Sequence, residues 1–271
     1  MPDPDPILDT VSDATRTVGR ALATAGRWVG RKAADGWEAI DPDLRAHLAQ
    51  LPVVGLTQLS ARGSDVAALP DDGHRPVIFV HGFGGAPGNF LPLRAWLWMK
   101  GQKRTYAFEQ PGEGGLEDAA GVLSAYIQAV VEVNALPPGS TVDLVAHSMG
   151  GVIARLALDD RATRARVGTL VTLGSPHAGS HLARYANTER ALALRPGSAA
   201  MARLDAQLPW AGPPDWPRLV AFWSPADVIV IPAESARVEG ATNVLLPGFT
   251  HYSYLVRPEC WRRVFDSLSA D

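Results

Sequence analysis

Thr141-Val142-Asp143-Leu144-Val145-Ala146-His147-Ser148-Met149-Gly150-Gly151 runs as a β-branched, apolar strand into a serine bracketed by small residues. Val152-Ile153-Ala154-Arg155-Leu156-Ala157-Leu158 follows at once with helical character. A serine hydroxyl is a poor nucleophile in water. It becomes useful when a sharp strand-to-helix turn lifts it clear of the sheet and the new helix points its amide end at the reaction centre. Such a turn strains the serine backbone and brings the chain close to itself two residues to either side, where only small side chains fit. Here those positions hold Ala146 and Gly150. Small-x-Ser-x-small patterns also arise by chance in a chain with 26 glycines. The flanking strand and helix make this one a candidate catalytic turn.

A serine so placed needs a base, an acid to orient it and donors for a developing oxyanion. Upstream, Arg75-Pro76-Val77-Ile78-Phe79-Val80-His81-Gly82-Phe83-Gly84-Gly85 is a short apolar strand ending in a glycine-rich loop. Such a loop can fold back over the strand ends with its N–H groups facing a substrate oxygen. The His81 side chain itself reads as a hydrogen-bonded turn histidine. Downstream, Pro217 to Trp223 is a further strand, followed by Ser224-Pro225-Ala226-Asp227. Asn243-Val244-Leu245-Leu246-Pro247-Gly248-Phe249-Thr250-His251 then reads as a last strand and a loop with one histidine. Ser148, Asp227 and His251 each follow a predicted strand, in an order used by one known type of hydrolase.

On these residues the chain resembles the bacterial triacylglycerol lipases and carboxylesterases of the α/β-hydrolase fold, and most closely the small lipases whose turn carries alanine in place of the first glycine. The matching stretches are Pro76–Gly85, Asp143–Gly151, Ser224–Val230 and Gly240–His251, with Thr172-Leu173-Gly174-Ser175-Pro176-His177-Ala178-Gly179 similar to a segment of larger lipases. The resemblance spans about residues 75 to 268 and is absent before about residue 50. It implies a Ser148–Asp227–His251 triad, with the backbone N–H groups of Phe83 and Met149 forming the oxyanion hole. It also implies that His177 is not the base, and that the His-Gly-apolar loop suits medium or long acyl chains.

The implied architecture is an α/β fold of the α/β-hydrolase type: a mostly parallel, doubly wound sheet with helices on both faces, a helical cap-like insertion and an N-terminal helical extension. The alternation along the chain agrees. Strands are expected at 76–80, 104–108, 141–146 and 168–173, with helices at 90–100 and 116–134 between them. The catalytic domain is expected over 61–271 and the extension over 1–60. Between Ser180 and Pro217 the alternation breaks into short helical stretches around Leu182, Leu192, Leu194, Met201 and Leu204. Their spacing suits either a lid facing the acyl chain or a rigid helical pair completing the core.

In the extension, Ile7, Leu8, Val11, Ala14, Val18, Leu22, Ala25 and Val29 recur at helical spacing. Asp3, Asp5, Asp9 and Asp13 replace the basic start of a secretory signal, whereas Arg16, Arg20, Arg27, Arg31 and Lys32 make the later half basic. This segment is expected to be a helix that packs on the domain or a partner chain or touches an anionic membrane surface, with disorder as the remaining alternative. A second, short helix is expected from Asp41-Pro42-Asp43, and 61–75 reads as a connector.

Composition sets outer bounds. A net charge of −3 is too mild to suggest nucleic acid as a partner. The single cysteine, Cys260, precludes an intrachain disulfide or a cysteine metal site and is expected inside a C-terminal helix over 258–268. No apolar run reaches membrane-spanning length. The scattered acids form no recognisable ligand set, so neither a metal nor an organic cofactor is expected, and the missing signal and lone thiol give a cytoplasmic expectation. The resulting expectation is a serine hydrolase of carboxylic esters, with an ester or lipid substrate, acting through an acyl-serine. Thioesterase, polyester hydrolase and acyltransferase chemistry use the same machinery, and a non-catalytic binding protein on this fold is the other class of reading.

Overall fold

The computed structural model describes residues 40–59, 63 and 66–269. The helix expected over residues 7–29 lies outside them. By its contacts the chain divides at Arg45/Ala46, and the unit from Ala46 onward carries the sheet and the candidate site.

Helix α1 (Pro42–Leu59) is one 18-residue element rather than the short helix expected there. Asp41 explains its start, because its carboxylate accepts the otherwise unpaired amides of Asp43 and Leu44 at 2.9 and 3.2 Å. The sheet strands are β1 (Val77–Val80), β2 (Thr105–Phe108), β3 (Val142–His147), β4 (Val167–Leu173), β5 (Arg218–Trp223) and β6 (Thr242–Leu245). Every pairing is parallel, in the order β2-β1-β3-β4-β5-β6. Between the first strands run α2 (Leu91–Met99), after a 3-10 turn at Pro87–Phe90, and α3 (Leu116–Val133). Then follow α4 (Met149–Ala157) and α5 (Arg161–Arg164).

A strand's side chains alternate between faces, and this sheet is apolar on both. Ile78, Val80, Leu144 and Ala146 join one core with Leu123, Ile127 and Val130 of α3 and Val152 and Ile153 of α4. Val77, Phe79, Val145 and Val171 join the other with Leu93 and Leu97 of α2 and with Cys260, Val264 and Leu268. The last three lie on α9 (Pro258–Ser269), where the C-terminal helix was expected. Crossover helices on both faces are what parallel pairing requires, since adjacent parallel strands cannot be joined by a tight turn.

The chain leaves β1 outward to β2 and returns on the other side as β3, so the winding reverses between β1 and β3. Open α/β sheets bind ligands beyond the carboxyl ends of their strands at such a reversal. The Gly82 loop follows β1 and Ser148 follows β3, at the lip of that crevice.

The 180–217 insertion contains a 3-10 turn (His181–Tyr185), α6 (Glu189–Ala193) and α7 (Ala199–Asp205). Ser180, Thr188 and Ser198 cap them by accepting the amides of Leu182, Ala191 and Met201. The two halves differ. Met201 and Leu204 of α7 belong to the sheet core, whereas Leu182, Ala183 and Ala191 border a cavity beside Ser148. Arg190 ties α6 to the loop after β2 by donating to the carbonyls of Pro111, Glu113 and Gly114. Short helix α8 (Ser253–Val256) leads into α9. Among the described residues no helix is long and apolar enough to cross a membrane.

Candidate active site

Ser148 sits between β3 and α4 at φ 56° and ψ −129°. For a residue with a Cβ this is a strained backbone, of order 1–3 kcal/mol, held only because its surroundings over-determine it. Two observations show how. The Ser148 amide donates to the Leu173 carbonyl of β4 at 3.0 Å. Gly150 lies so close to the end of β1 that a Cβ there would collide with the Val80 carbonyl and stand 2.6 Å from the His81 carbonyl oxygen. The small residue expected after the serine is therefore a steric requirement of α4 leaving directly over β1.

Asp227 lies four residues beyond β5 and His251 six beyond β6, and the structure brings both to Ser148. His251 Nε2 is 2.9 Å from Ser148 Oγ, and His251 Nδ1 is 2.9 Å from Asp227 Oδ2 and 3.1 Å from Oδ1. A carboxylate only accepts, so Nδ1 carries the proton. Nε2 is then the lone-pair nitrogen and accepts the Ser148 hydroxyl. The His251 and Asp227 side chains are 4% and 2% exposed. Burial opposes the charge on Asp227, but the adjacent His251 and the amides of Ile229 (2.9 Å) and Val230 (3.1 Å) outweigh it and hold the carboxyl below the usual range. The Ser224 hydroxyl joins the two loops by accepting the amides of Ala226 (3.2 Å) and Phe249 (3.1 Å).

The Gly82 loop packs on the serine itself: a Cβ at Gly82 would stand 2.8 Å from Ser148 Cβ. Asn89 shapes this loop by accepting the Ala86 amide at 2.8 Å. The Phe83 side chain is half exposed at the mouth of the cavity, and Met149 opens α4 with one of the amides that a helix leaves without an internal partner. His81 is the turn histidine expected, with Nδ1 3.0 Å from the Gly82 carbonyl, and burial holds its pKa below the ordinary value. His177 is buried, with Nε2 3.0 Å from Thr172 Oγ1.

The cavity beside Ser148 has a volume of about 350 Å³, with Phe83, Leu182, Leu194, Val230 and Leu255 among its walls. A larger hollow of about 710 Å³ lies at the amino ends of the strands, between α3 and α5, remote from this chemistry. Volume alone does not select the site.

Sequence reasoning missed two features. His147 Nε2 donates to the backbone carbonyl of His251 at 2.9 Å, and the two rings lie 4.7 Å apart. Burial, followed by the neighbouring His251, drives the His147 pKa down to about 3, so it is a neutral donor throughout the physiological range. The second is α1, whose polar side chains reach the loops on both sides of Ser148.

Residues 112–191, which include the strand, serine and helix, match the protein family described as a PGAP1-like alpha/beta domain. The chain is similar to lipase BlEst2 of Bacillus licheniformis in its mature form (TM-score 0.64, 20% identity, 77% of this chain and 97% of that one). It is also similar to lipase B of Aspergillus fumigatus (TM-score 0.62, 19% identity, 74% of this chain and 54% of that one). The fold is that of the α/β-hydrolases. A sequence relative, probable esterase PIR7A of Oryza sativa subsp. indica, is 28% identical over 116 residues. That match covers 41% of this chain and 44% of the relative, so the two share less than half of either length. Within the α/β-hydrolase frame Ser148, Asp227 and His251 all stand beyond the carboxyl ends of the strands.

Proposed function

We propose that this protein is a serine hydrolase of carboxylic esters that works through an acyl-serine intermediate. The observation that carries the reading is the buried, continuous hydrogen-bonded chain from Asp227 through His251 to Ser148, with 2.9 Å at each junction. Similarity to two lipases by fold and to a probable esterase by sequence supports it.

In the first half-reaction Ser148 Oγ attacks the ester carbonyl as its proton passes to His251 Nε2. Asp227 keeps the proton on Nδ1 and stabilises the imidazolium that forms. The carbonyl oxygen, now an anion, is held by the N–H groups of Phe83 and Met149. The tetrahedral adduct collapses, His251 returns its proton to the departing alkoxide, and the alcohol leaves. Water then attacks the acyl-serine by the same route and releases the acid. The apolar cavity takes the acyl chain, and residues 181–194 form its outer wall. Thioesterase, polyester hydrolase and acyltransferase readings differ only in leaving group or acceptor.

Ser148→Ala and His251→Ala should each lower turnover of a nitrophenyl ester by at least about a thousandfold while the circular-dichroism spectrum is kept. Retention of most activity by either variant would overturn the assignment.

A further inference from the structure

His251 hangs on a loop six residues beyond its strand, and the Gly82 loop belongs to a different strand four positions away in the sheet. Loops carry functional groups but hold them loosely unless something braces them. Here α1 touches both. The Gln50 side-chain amide uses both of its ends on the histidine loop: Oε1 accepts the Thr250 hydroxyl at 3.1 Å, and Nε2 donates to Ser253 Oγ at 2.9 Å. Ser253 Oγ also accepts the Thr250 amide at 3.0 Å, so His251 lies within a closed ring of hydrogen bonds. One turn earlier the His47 ring stacks on Tyr252, with centroids 4.9 Å apart and planes 20° from parallel.

The other end of the helix holds the Gly82 loop. Gln58 Nε2 donates to the Gly84 carbonyl at 3.2 Å. Asn89 Nδ2 donates to the Val54 carbonyl and the Thr57 hydroxyl, both at 3.3 Å, while its Oδ1 caps Ala86. From residue 50 to residue 58 a helix rises about 12 Å. A single helix, with Pro52 in its interior, thus spans the distance between the loop that carries the base and the loop that carries an oxyanion donor.

We propose that residues 47–58 of α1 are a clamp that sets the base and the oxyanion loop relative to each other, with Gln50 and Gln58 as positioning residues. The proposal rests on the acyl-serine reading and adds to it a part of the chain outside the sheet-and-crossover frame. Its consequence is kinetic. A displacement of about 1 Å in a catalytic group costs on the order of a hundredfold in rate, so a helix that prevents such drift acts on kcat and leaves the affinity of the acyl pocket alone.

The test uses the full chain, a soluble nitrophenyl ester and a fluorophosphonate. Gln50→Met keeps the length of the side chain and removes both polar ends. It should lower kcat about tenfold, leave KM within about twofold, and slow phosphonylation of Ser148 by the same factor as kcat. Gln58→Met should act in the same direction by about threefold. Arg203→Ala is the structural control: it removes the 2.6 Å ion pair with Asp159 at the far side of α4 and should leave kcat within about twofold at a comparable loss of melting temperature. Wild-type kcat in both glutamine variants overturns the clamp, as does a control that loses as much kcat as they do. Ser148→Ala separates the two levels. If it still turns over ester, the acyl-serine reading fails; if it is inactive while Gln50→Met is intact, only the clamp fails.

Discussion

Replacing Gly150 with alanine tests the serine turn by a single methyl group. The added Cβ would stand 2.6 Å from the His81 carbonyl oxygen and closer still to that of Val80. Real Cβ atoms do not approach within 3.0 Å, so α4 must retreat by about 0.4 Å to clear the His81 oxygen and by more than that to clear Val80, and backbone on both sides leaves no flexible side chain to yield. Overpacking of this kind costs about 1–3 kcal/mol. At about 2–4 °C per kcal/mol for a chain of this size, the melting temperature should fall by a few to about ten degrees. The helix that retreats carries the Met149 amide and starts at Ser148, so the reacting atoms move with it. On the scale of a hundredfold per ångström, kcat should fall about tenfold or more beyond any loss due to unfolding. Gly121→Ala is the matched control. It lies in the exposed interior of α3 with nothing within 4 Å of the new Cβ, and it should stabilise the fold by up to about 1 kcal/mol with unchanged turnover. Thermal unfolding and single-turnover acylation at 25 °C, measured on both variants, decide the matter. A Gly150→Ala enzyme with wild-type stability and acylation rate would refute the close approach of α4 to β1.

Other perturbations have equally definite signs. His147→Phe removes the donor to the His251 carbonyl and should lower kcat about tenfold at constant KM, measured on a soluble ester. Because burial lowers the His147 pKa to about 3, the unfolded chain binds that proton more readily. His147 therefore costs stability as the pH falls from about 6.5 toward 3, and denaturant titrations should find the Phe variant less acid-sensitive than the wild type. Asp143 has the opposite sign. Burial raises its pKa to about 6 against the pull of Arg75 at 3.0 Å and the Thr169 amide at 2.8 Å. The folded state then holds the proton more tightly than the unfolded one. Stability contributed at low pH is lost as the pH rises from about 4 to about 6, by roughly 3 kcal/mol. Asp143→Asn should flatten that part of the stability profile; a slope identical to that of the wild type would contradict the burial argument.

The parts of this molecule legible in its sequence are those whose physics is local. The run from Val142 to Leu158 states its own structure: a mostly apolar strand buried on both faces, broken early by Asp143, then a small-Ser-small break and helical spacing. The strands before Gly82 and Asp227 were legible for the same reason, with ends shifted by a residue or so. The 180–217 stretch was ambiguous because core and cavity positions share one apolar pattern. The structure assigns Met201 and Leu204 to the core and Leu182 to the cavity wall. The roles of Gln50 and Gln58 were illegible. A glutamine on a helix is ordinarily a solvated face, and Gln50 meets its partners 200 and 203 residues away, a relation that no window of sequence contains. His147 was hidden similarly, as a histidine between the expected strand and Ser148 to which no role was given.

The most direct measurement of the central claim is covalent. The full-length protein, treated with a fluorophosphonate and digested, should yield one modified peptide with the adduct on Ser148, and labelling should vanish in Ser148→Ala and slow by orders of magnitude in His251→Ala. An unlabelled wild-type protein, or an adduct on another serine with Ser148 untouched, would contradict the account.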